Sequence, residues 1–288
     1  MSVTLNVNGE NTFMSVSELR DTEFEKISRL VYGHCGINLH DGKKELVKAR
    51  LSKRLREGKF KSFGDYYKYV VTEEGTDEMI AMIDSLSTNL TYFFREESHF
   101  YKLRDILQSR LSSVRSVRQP QRIRIWSAGC SSGEEAFSIA MTVREYASHL
   151  PIECKITATD ISTRVLDKAV KGIFPKDKLK NLAPEIVKRF FQLGYGQQEG
   201  NYRIKKEIRD MVSFSRFNLM EMPPADFLFD IIFCRNVMIY FDKATQVALL
   251  KRFYQCLNKN GYFFIGHSES IAGLDHEFIY VEPSVYRK

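Results

Sequence analysis

Two adjacent carboxylates, Glu134 and Glu135, follow a turn of small residues from Ser127 to Gly133. Upstream, Ile123, Ile125 and Trp126 read as a short buried strand. Downstream, Phe137, Ile139 and Ala140 open a helix. Strand, small-residue turn and helix is how an α/β sheet brings a nucleotide-like ligand to a helix N-terminus. This turn has only Gly129 and Gly133 and lacks the G-x-G-x-x-G of a pyrophosphate loop. Two carboxylates at that place repel an anion. A neutral or cationic ligand carrying ribose hydroxyls fits the chemistry better, and an ordinary tight strand–helix connection is the plainer alternative.

Three further groups fall where such a ligand would be met. Asp160 closes the strand-like run Lys155 to Asp160, 31 residues after Gly129, where a carboxylate accepts from ribose hydroxyls. Its alternative is to cap the helix that begins near Ser162. Arg235 and Asn236 end the continuous apolar run Phe227 to Cys234, which reads as a central strand buried on both faces. Met211 to Phe217 alternates as another strand and ends at Asn218-Leu219. His267 and Ser268 are adjacent, so they point apart on a strand, and no G-x-S-x-G elbow accompanies them.

These groups need a scaffold, and the chain is long enough for one large or two modest domains. Its 288 residues are 43% hydrophobic and 27% charged, which supports a real core. No apolar run has the length of a membrane span and no signal-peptide pattern opens the chain, so a cytoplasmic location without membrane insertion is expected. The five cysteines are scattered without C-x-x-C spacing, which argues for a reducing compartment and against a disulfide framework or a metal site.

From residue 122 onward, strands and helices alternate as in a doubly wound α/β domain. Residues 172 to 211 interrupt the alternation. A helix over Leu182 to Phe191 and a glycine-bearing turn at Gly194, Gly196 and Gly200 suggest a small antiparallel insertion, centred on 190–211, with a sheet edge that an extended peptide could join. Ala244 to Leu257 reads as a helix stopped by Asn260-Gly261. Tyr262 to Ile265 and Phe278 to Tyr286 read as two closing strands. Residues 91–121 read as a connecting helix and linker, with a non-periodic, proline-containing boundary over 112–121. Residues 18–90 read as a small all-α domain, and residues 1–17 as a flexible tail with a weak hairpin option.

The second helix of that α domain is unusual. Val47, Leu51 and Leu55 form a narrow apolar stripe. From Lys43 to Lys61 there are nine basic and two acidic residues, an excess equal to the whole chain's net charge of +7. Acid–base pairs at i,i+4 are nearly absent, so the face reads as a docking surface for an acidic partner.

Three stretches together resemble the chemotaxis receptor methyltransferase family, whose members use S-adenosylmethionine (SAM) to methylate receptor glutamates. They are Ser87-Thr-Asn-Leu-Thr-x-Phe-Phe-Arg-Glu96, Trp126-Ser-Ala-x-x-Ser-x-Gly-Glu-Glu135 and Phe233-Cys-Arg-Asn-Val-Met-Ile-Tyr-Phe-Asp242. Ser138-Ile-Ala140 and Gly266-His-Ser-Glu269 add to the match. The resemblance covers nearly all of residues 18 to 288. It implies a small helical domain, a linker and a SAM-binding α/β domain with a small antiparallel insertion. SAM, with its positive sulfonium, is a cofactor that Glu134 and Glu135 tolerate.

The resemblance also assigns roles. It places Asn89, Thr91 and Arg95 on the linker side of the cofactor pocket, Glu135 and Asp160 near the polar groups and ribose, Asn218 and Leu219 beside the adenine, and Arg235 and Asn236 near the methionine moiety. Arg95 and Tyr240 become the candidates for positioning a substrate carboxylate. Lys43, Lys44, Arg50, Lys53 and Arg54 become docking residues for the acidic methylation region of a receptor's cytoplasmic domain. Gly194, Gly196, Gly200 and Arg203 match an insertion that in some members binds a peptide at the receptor's C-terminus. Ala136-Phe137 replaces the Pro-Tyr often found after Glu-Glu, removing a proline that preorganises the first helical turn. Two rivals follow from the residues. The basic helix admits a nucleic-acid methyltransferase, although Cys234-Arg235-Asn236-Val237 stands where an Asn/Asp-Pro-Pro-aromatic motif is usual, so no nucleic-acid partner is expected. A SAM-sensing receptor adaptor without turnover is the other.

Overall fold

The computed structural model describes residues 18–112, 121–147 and 152–288. The expected tail and hairpin over 1–17, and most of the boundary stretch 112–121, lie outside the described residues. Leu39–Leu86, with the described residues up to Leu30, form one compact unit; Val31–Asn38 and Ser87–Lys288 form a second. Among the described residues, no helix is long and apolar enough to cross a membrane.

The first unit is helical. It contains most of α1 (Asp21–Cys35), then α2 (Lys44–Glu57), α3 (Phe63–Val70) and α4 (Thr76–Leu86). The i, i+4, i+8 stripe of α2 is its buried face: Val47, Leu51 and Leu55 are essentially without exposure. Ser62 caps α3, its hydroxyl accepting the Asp65 N–H at 3.0 Å.

The second unit runs α5 (Ser98–Ser112), β1 (Gln121–Ala128), α6 (Glu134–Ala147), β2 (Ile152–Asp160), α7 (Thr163–Lys171), β3 (Ile173–Pro175), α8 (Pro184–Phe190), β4 (Phe191–Leu193), β5 (Asn201–Ile204), α9 (Lys206–Arg209), β6 (Val212–Arg216), β7 (Phe229–Phe233), α10 (Lys243–Cys256), β8 (Leu257–Phe264), β9 (Ile279–Glu282) and β10 (Val285–Arg287). Seven strands form one sheet in the order β6-β2-β1-β7-β8-β10-β9. β6, β2, β1, β7 and β8 are parallel, and β10 joins β8 antiparallel. The chain winds outward from β1 on one side and from β7 on the other. That makes the carboxyl ends of β1 and β7 the topological switch point, where α/β sheets hold ligands. Alternate residues of β1 and β7 feed two cores: Ile123, Ile125, Ile231 and Phe233 pack on one face, and Trp126, Ala128 and Ile232 on the other.

Two boundaries differ from the sequence reading. The chain passes straight from α10 into β8 at Leu257, and the stretch expected as one strand over Phe278 to Tyr286 turns at Ser284 (φ +63°) into the antiparallel pair β9 and β10, so three strands close the sheet instead of two. Leu257 is buried and pairs with Phe229, and a register shift in the β7–β8 ladder absorbs the next residues. Asn260, with φ +64°, and Gly261 therefore lie inside the strand as an irregularity and do not stop a helix. The small antiparallel sheet has the order β3-β5-β4 and takes its first strand from Ile173–Pro175, well before residue 190. Gly172 ends α7 in the left-handed region (φ +59°), and its carbonyl accepts the Ile204 N–H at 2.9 Å, turning the chain directly into that sheet.

Candidate active site

The turn after β1 is tied down by its own backbone. The Gly129 and Cys130 N–H groups donate to the Thr159 carbonyl at 2.8 and 2.9 Å, and Gly133 N–H donates to the Cys130 carbonyl at 3.0 Å. Ser131, at φ +49°, donates its N–H to Asp160 Oδ2 at 2.8 Å. Four N–H donors of the turn are thus already committed. Gly129 has φ +86°, and a Cβ there would stand 2.4 Å from Val237 Cγ2, so only glycine fits between this turn and the loop after β7. Asp160 also accepts the Ser162 N–H at 2.9 Å. A carboxylate takes up to about four hydrogen bonds, so holding the turn is compatible with accepting hydroxyls.

Glu134 and Glu135 start α6 and point into protein. Glu134 is fully buried and accepts from the Ser132 hydroxyl at 2.6 Å and from Lys178 Nζ at 3.2 Å. Glu135 accepts from the Ser127 hydroxyl at 2.7 Å and from Arg235 Nη1 at 3.2 Å. Burial pushes the Glu135 carboxyl up, against the pull of Arg235 and Ser127.

Arg235 is the hub. Its side chain is 1% exposed and lies over the Phe100 ring. Besides Glu135, it reaches Glu96 Oε2 at 2.9 Å and the Arg95 carbonyl. Where the resemblance places Arg235 beside the cofactor, its guanidinium is bonded instead to the protein groups that shape the pocket. Burial works against ionised Glu96, yet the Arg235 hydrogen bond and charge hold it below the ordinary carboxylate range. Glu96 also receives a 3.4 Å hydrogen bond from Asn236 Nδ2. Phe94 (φ +54°), Glu96 (φ +57°), Ser131 and Asn236 (φ +59°) are all non-glycine residues in the left-handed region. Such conformations cost about 1–3 kcal/mol each and gather where surrounding contacts over-determine them.

The Asn89–Arg95 segment carries its own ties. Asn89 donates its amide to Ser87 Oγ at 3.2 Å and its carbonyl accepts the Ser131 hydroxyl at 3.2 Å. The Thr91 carbonyl accepts Lys178 Nζ at 3.1 Å. Thr91 is not a helix cap, because α5 starts only at Ser98. Arg95 donates to the Leu90 carbonyl at 3.0 Å and sits 5.8 Å from the Tyr92 ring. Asn218 spends its amide on protein partners, donating to the His34 carbonyl of α1 at 2.6 Å and accepting the Met220 N–H of its own loop at 3.1 Å. Leu219 is half-buried, and its carbonyl accepts Arg252 Nη1 at 2.7 Å. Tyr240 is half-buried in a single turn, Met238–Tyr240, and no hydrogen bond joins it to Arg95.

Several groups escaped the sequence reading. Glu96 closes the Ser87–Glu96 motif, but nothing in its spacing marks it as a partner of Arg235. Glu269 holds the loop after β7 by accepting the Gly266 N–H at 2.6 Å, the Asn236 N–H at 2.8 Å and the Ile239 N–H at 3.3 Å, while burial pushes its carboxyl up. Its place in Gly266-His-Ser-Glu269 was the available signal. Lys178 gave none. Glu96, His99 and His267 bring their ligand-type atoms within 4.8 Å of one another. Arg235 lies 2.9 Å from Glu96, and its charge opposes a cation there.

In the helical unit, the expected docking residues differ from one another. Lys44 pairs with Asp21 at 2.5 Å, Arg50 donates to the Leu86 carbonyl at 2.5 Å, and Arg54 pairs with Glu57 at 2.9 Å and with Glu78, whose carboxylate also takes the Tyr66 hydroxyl at 2.8 Å. Lys43 is exposed, and Lys53 meets Glu57 only at 3.7 Å. The basic excess is therefore partly compensated by acids on other segments, beyond the few pairs that spacing within the helix offers. On the insertion, Arg203 is exposed, and Gly196 (φ +60°) and Gly200 (φ +81°) form the turns between β4 and β5.

Residues 89–287 match the model described as "CheR methyltransferase, SAM binding domain", and residues 22–87 match "CheR methyltransferase, all-alpha domain". The chain belongs to the CheR methyltransferase family. It is 40% identical over 288 residues to a chemotaxis protein methyltransferase of Borreliella burgdorferi, covering 99% of this chain and 100% of the relative. It is 41% identical to the Escherichia coli protein of that name, covering 93% and 91%. A third relative, chemotaxis protein methyltransferase 2 of Pseudomonas aeruginosa, is 40% identical with 92% of both chains covered.

This family member is a SAM-dependent methyltransferase of α/β fold, with an all-α domain ahead of the SAM-binding domain. The pocket suits that cofactor. The Gly129, Cys130, Ser131 and Gly133 N–H groups are committed within the protein, which disfavours a pyrophosphate at this turn.

Proposed function

We propose that this family member methylates glutamate side chains in the acidic methylation region of chemotaxis receptors, in the cytoplasm, giving glutamyl methyl esters for sensory adaptation and releasing S-adenosylhomocysteine. The observation that carries the reading is the state of the charged groups around the pocket. Glu96 and Glu135 are tied to Arg235 and Glu134 to Lys178, while Asp160 accepts the Ser131 and Ser162 N–H groups, so each of these carboxylates already has a structural task. An acceptor that needed deprotonation would lack a base here. A glutamate carboxylate is ionised near neutral pH and needs none. The relatives' shared name, chemotaxis protein methyltransferase, supports a protein of the chemotaxis system as the substrate.

Bound SAM supplies an electrophilic methyl group on a positive sulfur. Asn89, Thr91, Glu135, Asp160, Asn218, Leu219 and Asn236 hold and orient it, with Arg235 keeping Glu135 and Glu96 in place. Arg95 and the Tyr240 hydroxyl orient the substrate carboxylate. Arg95 must do so without gripping, because the carboxylate loses charge in the transition state and a tight ion pair would stabilise the ground state more. Catalysis therefore rests on proximity, alignment and partial desolvation. Lys43, Lys44, Arg50, Lys53 and Arg54 supply the basic face for the receptor, and Gly194, Gly196, Gly200 and Arg203 an edge for a receptor tail.

The test is transfer of labelled methyl from SAM to receptor-containing membranes. The expected product is protein-bound label released as volatile methanol by mild base. Label stable to base, or label in nucleic acid, would contradict the proposal. Arg95→Ala should abolish transfer, and full activity of that variant at limiting SAM would remove Arg95 from the site.

A further inference from the structure

We infer that the three-stranded insertion is part of the cofactor site, acting through Lys178 as a positioning residue. The inference rests on the pocket reading above. Lys178 belongs to the single turn Lys176–Leu179 that follows β3. Its ammonium makes two bonds outside the insertion, at 3.1 Å to the Thr91 carbonyl and at 3.2 Å to the fully buried Glu134 carboxylate. One side chain thus joins the Asn89–Arg95 segment to the first turn of α6. A second, independent contact does the same by packing. Phe93 lies edge-on between Phe174 of β3 and Phe191 of β4, with ring centroids 4.9 and 5.4 Å apart, and Phe174 also meets Phe137 of α6 at 6.1 Å.

The chemistry explains why a lysine stands there. Glu134 is beyond the reach of water and has one hydroxyl donor, Ser132. A buried carboxylate without a cation is costly. Lys178 supplies that cation from the insertion, and its second bond sets the height of the Thr91 backbone above α6. Phe93 then keeps the segment pressed on the insertion's inner face. Residues 89 to 95 are short of regular structure, so these ties, with the Phe94 N–H to Ser138 Oγ bond at 2.9 Å, decide where Asn89, Thr91 and Arg95 stand.

The experiment is titration calorimetry of S-adenosylhomocysteine into wild type, Lys178→Met and Lys178→Arg, with methylation kinetics on receptor membranes and thermal melting alongside. Lys178→Met should weaken S-adenosylhomocysteine about tenfold and raise KM for SAM by a similar factor, with kcat at saturating SAM within about twofold of wild type. Lys178→Arg should recover most of the affinity. If Lys178→Met melts early, Lys178→Gln, which keeps a donor at shorter reach, should show the same weakening at a temperature where it is folded. Unchanged affinity in folded Lys178→Met or Lys178→Gln would overturn the inference. A wild-type chain that bound no S-adenosylhomocysteine would overturn the pocket reading first, and this inference with it.

Discussion

Arg235 and Arg54 each hold two carboxylates, in different surroundings. Arg235 grips Glu96 and Glu135 with a side chain 1% exposed, at the carboxyl end of the central strand. Arg54 grips Glu57 and Glu78 from a helix surface, 26% exposed. In the first place water cannot replace a lost partner. In the second it partly can. Burial therefore decides whether an ion pair is a fixed part of a pocket or a local brace on a surface whose other charges are available to a partner. Lys43, just ahead of that helix, is exposed, and Lys53 on it meets Glu57 only at 3.7 Å.

The largest effect that would break this contrast is at the hub. Arg235→Met should cost about 3–5 kcal/mol in denaturant unfolding, because it strands two carboxylates, and should abolish S-adenosylhomocysteine binding. A loss below about 1 kcal/mol would show that Glu96 and Glu135 do not depend on it. The next effect is acid sensitivity. His99 is buried beside Arg235, and burial and that charge push it down to about 3 from its ordinary 6.5. Near pH 6.5 the unfolded chain takes up a proton that the folded chain refuses. This contribution to stability is therefore complete above about pH 6.5 and is lost as pH falls toward 3, at up to ~1.4 kcal/mol per unit. Unfolding of His99→Phe between pH 7 and 5 should show a correspondingly shallower slope, and an identical slope would reject the assignment.

Arg54→Met should cost about 2 kcal/mol, the worth of hydrogen bonds to charged groups, read from thermal melts against wild type. Smallest in stability is the pair Lys43→Ala and Lys53→Ala. Together they should leave unfolding within about 0.5 kcal/mol of wild type. They should also slow receptor methylation several-fold at low salt and flatten its salt dependence, since exposed charges act on encounter. A stability loss as large as that of Arg54→Met would erase the distinction within the helix.

Strand ends were legible in the sequence because apolar runs stop at polar residues. Asp160, Asn218 and Arg235 stand at or just past strand ends for that reason, and Glu134 follows the small-residue turn after β1. What each side chain bonds to was not legible. Arg235 read as open to a ligand, yet it is enclosed by Glu96 and Phe100, residues 139 and 135 positions away. The α2 helix read as uncompensated because its partners Glu18, Asp21 and Glu78 lie on other segments. Lys178 is one lysine among several in its stretch, and only the packing of the insertion singles it out. The Asn89–Arg95 segment carried no periodicity. Its motif resemblance, and not its pattern, marked it.

The division of labour is tested most directly by measuring KM for SAM and KM for receptor membranes side by side in Asp160→Ala and in the Lys43→Ala, Lys53→Ala double variant. Buried groups serving the cofactor and exposed ones the substrate predicts that Asp160→Ala loses methylation at limiting SAM, whereas the double variant raises only the receptor KM. Full activity of Asp160→Ala at limiting SAM, or a double variant that changed the SAM KM and left the receptor KM alone, would contradict it.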